Sequence, residues 1–303
     1  MKAAKLDVVI VGAGGLARAM AHALSRKGQA AVTIASRRPA AASALARGAR
    51  GVRSARRIED AVAGATIVLL AVPDRAIAAV AAALVPARPS WRGVVVPHAA
   101  GAYGPELLAA LGARGAATGV LHPLAVLGAR GGAPLAGAAA RLEGSPKARS
   151  AARRLCALVG LVPLRGSGLH SPQGRSSYHA AASLASNDLV ALLAAAEGLL
   201  VARGVPRREA LRALAVLAGG VLDTVRREGL LGALTGPIAR NDEATLARQL
   251  TALASEDRAA AAAHRALSLR LVELSLAGGR LDAEAARSLR ALLARGPGRR
   301  RTV

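Results

Sequence analysis

Val8-Val9-Ile10-Val11-Gly12-Ala13-Gly14-Gly15-Leu16-Ala17 decides how the rest of the chain is read. The apolar run Leu6–Val11 has strand character and ends at Gly12, and Leu16–Lys27 has the pattern of a helix. Between them lies G-x-G-x-x-A, with Ala17 as the permitted third small residue. In that spacing the first glycine makes the tight turn and the second lets the backbone approach a pyrophosphate. The third small residue lets helix pack on strand. The free N–H groups and the positive dipole end of the helix then face the phosphates. A glycine-rich turn in an alanine-rich chain would share the composition, but it would need neither the strand before nor the helix after. Gly12, Ala13, Gly14, Gly15, Leu16 and Ala17 are therefore the expected cofactor-binding turn.

Downstream, strand and helix alternate. Ala31–Ala35 reads as a second strand ending in Ser36-Arg37-Arg38-Pro39. An Asp or Glu at such a strand end would hydrogen-bond an adenosine ribose 2′-hydroxyl and repel a 2′-phosphate. None is present; Ser36 supplies a hydroxyl, and Arg37 and Arg38 supply guanidinium forks suited to phosphate. NADPH is thus expected in preference to NADH, against the plainer reading of a solvated basic loop. Thr66–Val72 is a continuous apolar run, as in a parallel strand covered on both faces. Pro73 and Asp74 follow it: Asp74 is expected to cap the helix Arg75–Leu84, and Val72 and Pro73 to lie beside the nicotinamide-side ribose. Gly93–Pro97 and Ala116–Leu121 are further strands, followed by His98 and His122. Ala139–Glu143 and Leu161–Leu164 add short strands around the helix Pro146–Val159. This order argues an α/β fold with a doubly wound, mostly parallel sheet, whose ligands sit outside the carboxyl ends of its strands. A lone histidine is more often structural than catalytic, but two at equivalent strand ends mark a candidate site. No metal is expected there, because no cluster of Cys or carboxylates accompanies them at ligand spacing.

The turn-rich stretch 165–175 marks a boundary. Beyond it the patterns are helical: Ser177–Arg203, Arg207–Arg227, Glu243–Ala254, Glu256–Leu276 and Asp282–Ala294. The expected organisation is a nucleotide-binding domain over 1–165, a linker over 166–175, an all-α domain over 176–295 and a basic tail over 296–303. On the first long helix His179, Ser183 and Asn187 are spaced i, i+4, i+8 and share a stripe. Facing the carboxyl edge of the sheet, His179 would donate a proton to a carbonyl or imine receiving hydride, with Ser183 and Asn187 orienting the substrate. A solvent-facing or interhelix polar stripe is the alternative. In Leu234–Asp242, Gly236-Pro237 forces a turn and Asp242 is expected to cap the next helix. Arg240 either binds an anionic substrate group or pins that loop; Tyr178 and Thr235 are the other candidate substrate contacts.

A chain of 303 residues is long enough for two domains. It has no Phe, and only Trp91, Tyr103 and Tyr178 are aromatic, so its cores must be aliphatic. The net charge of +24 attracts phosphate-bearing ligands. Scattered arginines without interleaved aromatics argue against a single-strand platform, and no nucleic-acid partner is expected. Cys156 is alone in an apolar helical pattern and reads as a small core residue. Lys2 and Lys5 before an apolar run resemble a secretory signal, but the glycine turn occupies its would-be apolar core. No stretch reaches ~18 residues of uninterrupted strong apolarity, so no membrane span is indicated and the cytoplasm is the expected compartment.

Val11–Ala17, Ala71-Val72-Pro73-Asp74, His98 with Gly101, His122-Pro123-Leu124, Tyr178–Ala182, Ser186-Asn187 and Leu234–Arg240 together resemble a bacterial family. In it a Rossmann-like NADP-binding domain precedes a helical domain of unknown function. The family is similar to pyrroline-5-carboxylate reductase, to the 6-phosphogluconate and 3-hydroxyisobutyrate dehydrogenases and to deazaflavin-dependent NADP oxidoreductases. The resemblance implies an N-terminal Rossmann-type sheet followed by an all-α domain that closes the active site and forms a homodimer. It also implies NADP-dependent hydride transfer to or from a small carbonyl or imine substrate. In the hydroxyacid dehydrogenases a Lys and an Asn on the first helix of the second domain do the chemistry. Ser177–Arg203 contains no Lys, so His179 or Ser183 would replace it. That departure keeps open a non-enzymatic NADP(H)-binding, redox-sensing module. Asn241 stands where the family leads one to expect Gly, and an aromatic expected near Leu127 is missing.

Overall fold

The computed structural model describes residues 6–26, 28, 30–128 and 135–295; the basic tail expected over 296–303 lies outside the described residues. The chain divides into two compact units, Met1–Ser186 and Asn187–Val303.

The first unit is built on one eight-stranded sheet: β1 (Leu6–Val11), β2 (Ala30–Ala35), β3 (Val52–Ser54), β4 (Ile67–Leu70), β5 (Val95–His98), β6 (Ala117–Leu124), β7 (Ala139–Gly144) and β8 (Val162–Pro163). Their order is β3-β2-β1-β4-β5-β6-β7-β8. All neighbours are parallel except β6 and β7, which run antiparallel with His122 opposite Arg141. The helices are α1 (Gly15–Arg26), α2 (Pro39–Arg47), α3 (Ile58–Val62), α4 (Ile77–Leu84), α5 (Ala109–Gly112), α6 (Pro146–Val159) and α7 (Pro172–Ala185). Because strand side chains alternate, β1 feeds two cores. Val8 and Ile10 join Met20, Leu24, Leu155 and Cys156 on one face of the sheet. Val9 and Val11 join Val68, Leu70, Ile77, Trp91 and Leu108 on the other. Burial in the first of these cores pushes the Cys156 thiol up to about 11, which fits a packing role.

The second unit is helical: α8 (Asn187–Val201), α9 (Arg207–Ala233), α10 (Glu243–Glu256), α11 (Arg258–Ala277) and α12 (Ala283–Ala294). Its core gathers Ile238, Leu246, Leu250, Val272, Leu281, Ala286, Leu289 and Leu293. Asp242, Asp257 and Asp282 cap α10, α11 and α12 through backbone N–H groups at 2.9, 2.9 and 2.8 Å. Asn241 is the one non-glycine residue at positive φ (54°) among the described residues. This explains the departure from glycine: asparagine is the side chain that best tolerates the left-handed region. Asn241→Gly is expected to leave stability unchanged or slightly raised, and Asn241→Val to lower it by ~1–2 kcal/mol, read by urea unfolding.

Three expectations need correction. The helix expected over 177–203 is two helices: α7 starts at Pro172 and ends before Ser186, whose φ of −130° and ψ of −72° are not helical. Ser186 Oγ donates instead to the Ala182 carbonyl at 2.6 Å. The i, i+4, i+8 stripe is therefore not one continuous row: His179 and Ser183 lie on α7, while Asn187 opens α8 in the second unit. Asp74 makes no side-chain cap; it is the first residue of a short 3-10 turn, and Pro73 precedes it. Finally, Pro172–Val201 is long and apolar enough by length and mean hydropathy to cross a membrane, with little of it buried within the chain. The break at Ser186 and the polar residues Asn187, Asp188 and Glu197 interrupt it.

Candidate active site

The glycine turn is fastened at the carboxyl edge of the sheet. Gly12 N–H donates to the Ala35 carbonyl and Ala71 N–H to the Val11 carbonyl, both at 2.8 Å. Gly12 has φ of 134°, and a Cβ there would overlap the Ala71 carbonyl oxygen. A Cβ on Gly15 would stand 2.5 Å from the Leu127 carbonyl oxygen, so the chain after β6 rests on this turn. Gly14 differs: a Cβ there meets nothing within 4 Å, and the residue is exposed. Its open side belongs to a cleft of about 520 Å³ whose lining includes Gly12, Gly14, Ser36, Arg37, Arg38 and Pro73. Ala13 and Val72 also line it, while Ala17 is fully buried on the inner face of α1, and Gly15, Leu16 and Asp74 are not among the lining residues. Ser36 Oγ accepts the Arg38 N–H at 3.2 Å, which sets the end of β2. The cleft thus offers a close backbone approach, the N-terminus of α1 and two guanidinium groups at its far end. That donor set fits the phosphates of a dinucleotide.

Beyond β5 and β6 a second group of residues converges. His122, expected just after its strand, lies inside β6, which runs on to Leu124; it is half-buried, with Nδ1 2.8 Å from the Tyr178 hydroxyl, and the two rings pack edge to face at 5.5 Å. Gly101 lies beneath: a Cβ on it would stand 2.9 Å from His122 Nε2 and 3.1 Å from His179 Nδ1. The two histidines expected from the sequence therefore meet over a glycine. Burial, and next the Arg141 guanidinium, push the His122 imidazole down to about 4, so it is neutral at physiological pH. Burial likewise pushes the Tyr178 phenol up to about 12.

His98 has a different part. It is completely buried; its Nε2 donates to the Gly104 carbonyl at 2.8 Å and its Nδ1 accepts the Ala100 N–H at 3.1 Å. Both nitrogens are committed to the loop after β5. In this structure His98 braces that loop.

The pattern of apolar runs did not bring out a buried ion network behind the site. Arg141 on β7 is buried, pairs with Glu143, and donates to the Tyr103 carbonyl at 2.7 Å and the Gly101 carbonyl at 3.2 Å. Glu143 also holds Arg175 of α7 at 2.5 Å, and Arg175 reaches Glu106 at 3.0 Å. Glu106 in turn accepts the Gly104 N–H at 2.8 Å. The Arg141 guanidinium lies 5.7 Å from the Tyr178 ring. One network therefore fixes loop 100–106, β7 and α7, the three elements that hold Gly101, Arg141 and Tyr178. A signal was present: Arg141 and Glu143 are opposite charges at i and i+2 inside an apolar strand, hence on one face.

Ser183 lies on α7 one turn after His179. Thr235 and Arg240 are exposed in the second unit, in the loop ending at the Asp242 cap. Arg240 helps hold the Asp242 carboxyl below its usual range, after the Thr245 hydrogen bonds and Arg248.

Residues 1–123 match the Rossmann-like domain family and residues 138–271 match the domain of unknown function DUF2520. No curated protein matches the chain. Solved structures share its fold. A candidate NADP oxidoreductase from Bacteroides fragilis is 21% identical with a TM-score of 0.69, over 88% of this chain and 98% of that one. A pyrroline-5-carboxylate reductase from Coxiella burnetii is 14% identical with a TM-score of 0.61, over 94% and 97%. A reductive aminase from Aspergillus terreus, solved with NADPH and ethyl-5-oxohexanoate, is 18% identical with a TM-score of 0.56, over 95% and 92%.

Proposed function

The chain joins a Rossmann-like domain to the domain of unknown function DUF2520, and from that premise we propose that it is an NADP-dependent oxidoreductase acting on a small carbonyl or imine. The observation that carries the reading is the pairing of the glycine-turn cleft with neutral His122 and exposed His179 over Gly101, all within the first unit. NADPH supplies hydride when bound. Gly12 to Gly14 and the α1 terminus bind its pyrophosphate, Arg37 and Arg38 its 2′-phosphate, and Val72 and Pro73 border its nicotinamide end. His179, open to solvent, gives a proton to the heteroatom of the substrate and regains one from water. The fold relatives named with NADP or NADPH support the choice of cofactor.

Two arginines make the cofactor preference testable. Arg37→Ala and Arg38→Ala should each weaken NADPH binding about 10- to 100-fold and leave NADH nearly unchanged, as loss of a charge-assisted hydrogen bond implies. Equal losses for both cofactors in a binding titration would contradict the assignment. Catalysis is tested by following NADPH oxidation with aldehydes, ketones, cyclic imines and a deazaflavin. Binding without transfer to any acceptor would favour the redox-sensing reading, which the missing lysine on α7 and α8 supports.

The helical unit is proposed to pair with a second copy. Val190, Val216, Leu217, Leu222 and Leu230 on α8 and α9 are exposed. That is an unusual amount of aliphatic surface to leave in water.

A further inference from the structure

Resting on the reductase reading, we propose that Tyr178 is a positioning residue that fixes His122 with its proton on Nε2, and that this N–H hydrogen-bonds the heteroatom of the acceptor double bond. The hydroxyl of Tyr178 has one proton and two acceptors within reach. His122 Nδ1 is at 2.8 Å and the His122 carbonyl oxygen at 3.4 Å. The shorter distance assigns the hydroxyl proton to a hydrogen bond with Nδ1, which leaves Nδ1 unprotonated and Nε2 carrying the hydrogen; donation to the carbonyl would instead put the hydrogen on Nδ1. Nε2 is the atom that faces Gly101, beside His179 Nδ1. A side chain at 101 would occupy that approach.

The groups around the ring keep it neutral. Arg141, His179 and His98 each oppose a positive charge on His122, as burial does. Arg141 is itself held by Glu143 and by the backbone of loop 101–103, so its charge stays behind the Tyr178 ring. A neutral imidazole donates a hydrogen bond without surrendering its proton. When hydride joins the acceptor carbon, the π-electron pair moves to the heteroatom. The proton that this atom takes up comes from His179, while His122 and Tyr178 keep theirs. The arrangement also selects substrate. A ketone or aldehyde oxygen, or an unprotonated imine nitrogen, has a lone pair for the His122 N–H; an iminium nitrogen has none. The acceptor class is therefore carbonyls and neutral imines, with preformed iminium ions disfavoured.

The test is the nitrogen–proton correlation spectrum of the His122 ring in the full chain without cofactor, with His122→Gln to assign the signal. The wild type should show the Nε2–H tautomer alone, from neutral pH to below pH 5. Tyr178→Phe should give a mixture of tautomers and unchanged NADPH affinity. With any carbonyl the wild type reduces, it should lower kcat about tenfold with little change in KM. An Nδ1–H tautomer in the wild type, or an unaltered tautomer in Tyr178→Phe, overturns the proposal without touching the reductase reading. Failure of the wild type to bind NADPH overturns the reductase reading and the acceptor contact with it, whatever the tautomer.

Discussion

Glu143→Ala is expected to destabilise the first unit by about 3–5 kcal/mol, because it strands a buried guanidinium. Arg141 is 1% exposed and its Nε already lacks a hydrogen-bond partner. Removing Glu143 takes away the only carboxylate among the described residues that pairs with it and also releases Arg175, which ties α7 to β7. The remaining bonds of Arg141, to the Ala100, Gly101 and Tyr103 carbonyls, cannot neutralise its charge. Replacing both partners, Arg141→Met with Glu143→Leu, should recover much of the loss, since apolar pairs of similar volume often substitute for a buried ion pair. Urea unfolding of the single and double variants measures both. A single-variant loss below about 1 kcal/mol would mean that the pair is solvated in solution. Acid should weaken the same unit. Folded His122 takes up a proton only near pH 4, whereas the unfolded chain takes one near 6.5. Stability contributed by keeping His122 neutral is therefore progressively lost as pH falls from about 6.5 towards 4.

Gly12 and Gly14 should separate folding from binding. Gly12→Ala must adopt φ of 134° and push into the Ala71 carbonyl, so both the stability of the unit and NADPH binding should fall. The backbone strain alone is worth roughly 1–3 kcal/mol. Gly14→Ala meets no protein atom within 4 Å and has no positive φ. It should fold like the wild type, yet its methyl group intrudes where the pyrophosphate approaches the backbone. The expected loss of NADPH affinity is on the order of 100-fold. Equal melting of wild type and Gly14→Ala, combined with unequal binding, would locate the cofactor at this turn. Unchanged binding would place it elsewhere.

Much of this architecture is written in local patterns. Mainly apolar runs gave six of the strands, because parallel strands covered on both faces leave few places for polar residues, and β7 was found in spite of Arg141 and Glu143. The run Pro146–Val159 has its cap, Ser145, and its stop, Gly160 at φ of 81°, in the sequence itself. β3 escaped because it has three residues, Val52 half-buried and Arg53 and Ser54 exposed, so no apolar run marks it. The break at Ser186 has neither Gly nor Pro, and a serine within an alanine-rich helix does not announce it. At the site, His98 and His122 were visible because they follow apolar runs, although β6 continues past His122 to Leu124. Their roles were not. Whether a ring nitrogen meets a backbone carbonyl, as in His98, or a phenol, as in His122, depends on residues as far apart as Tyr178 and β6. Asn187, Thr235 and Arg240 sit in the second unit, and their helical and loop context was legible while any substrate role was not.

The most direct test of the central claim is a titration of the purified chain with NADPH and with NADH, followed by the fluorescence of the reduced nicotinamide. Saturable binding of NADPH, tighter than that of NADH and weakened on the order of 100-fold in Gly14→Ala, is the predicted result. Binding of neither cofactor would contradict the account.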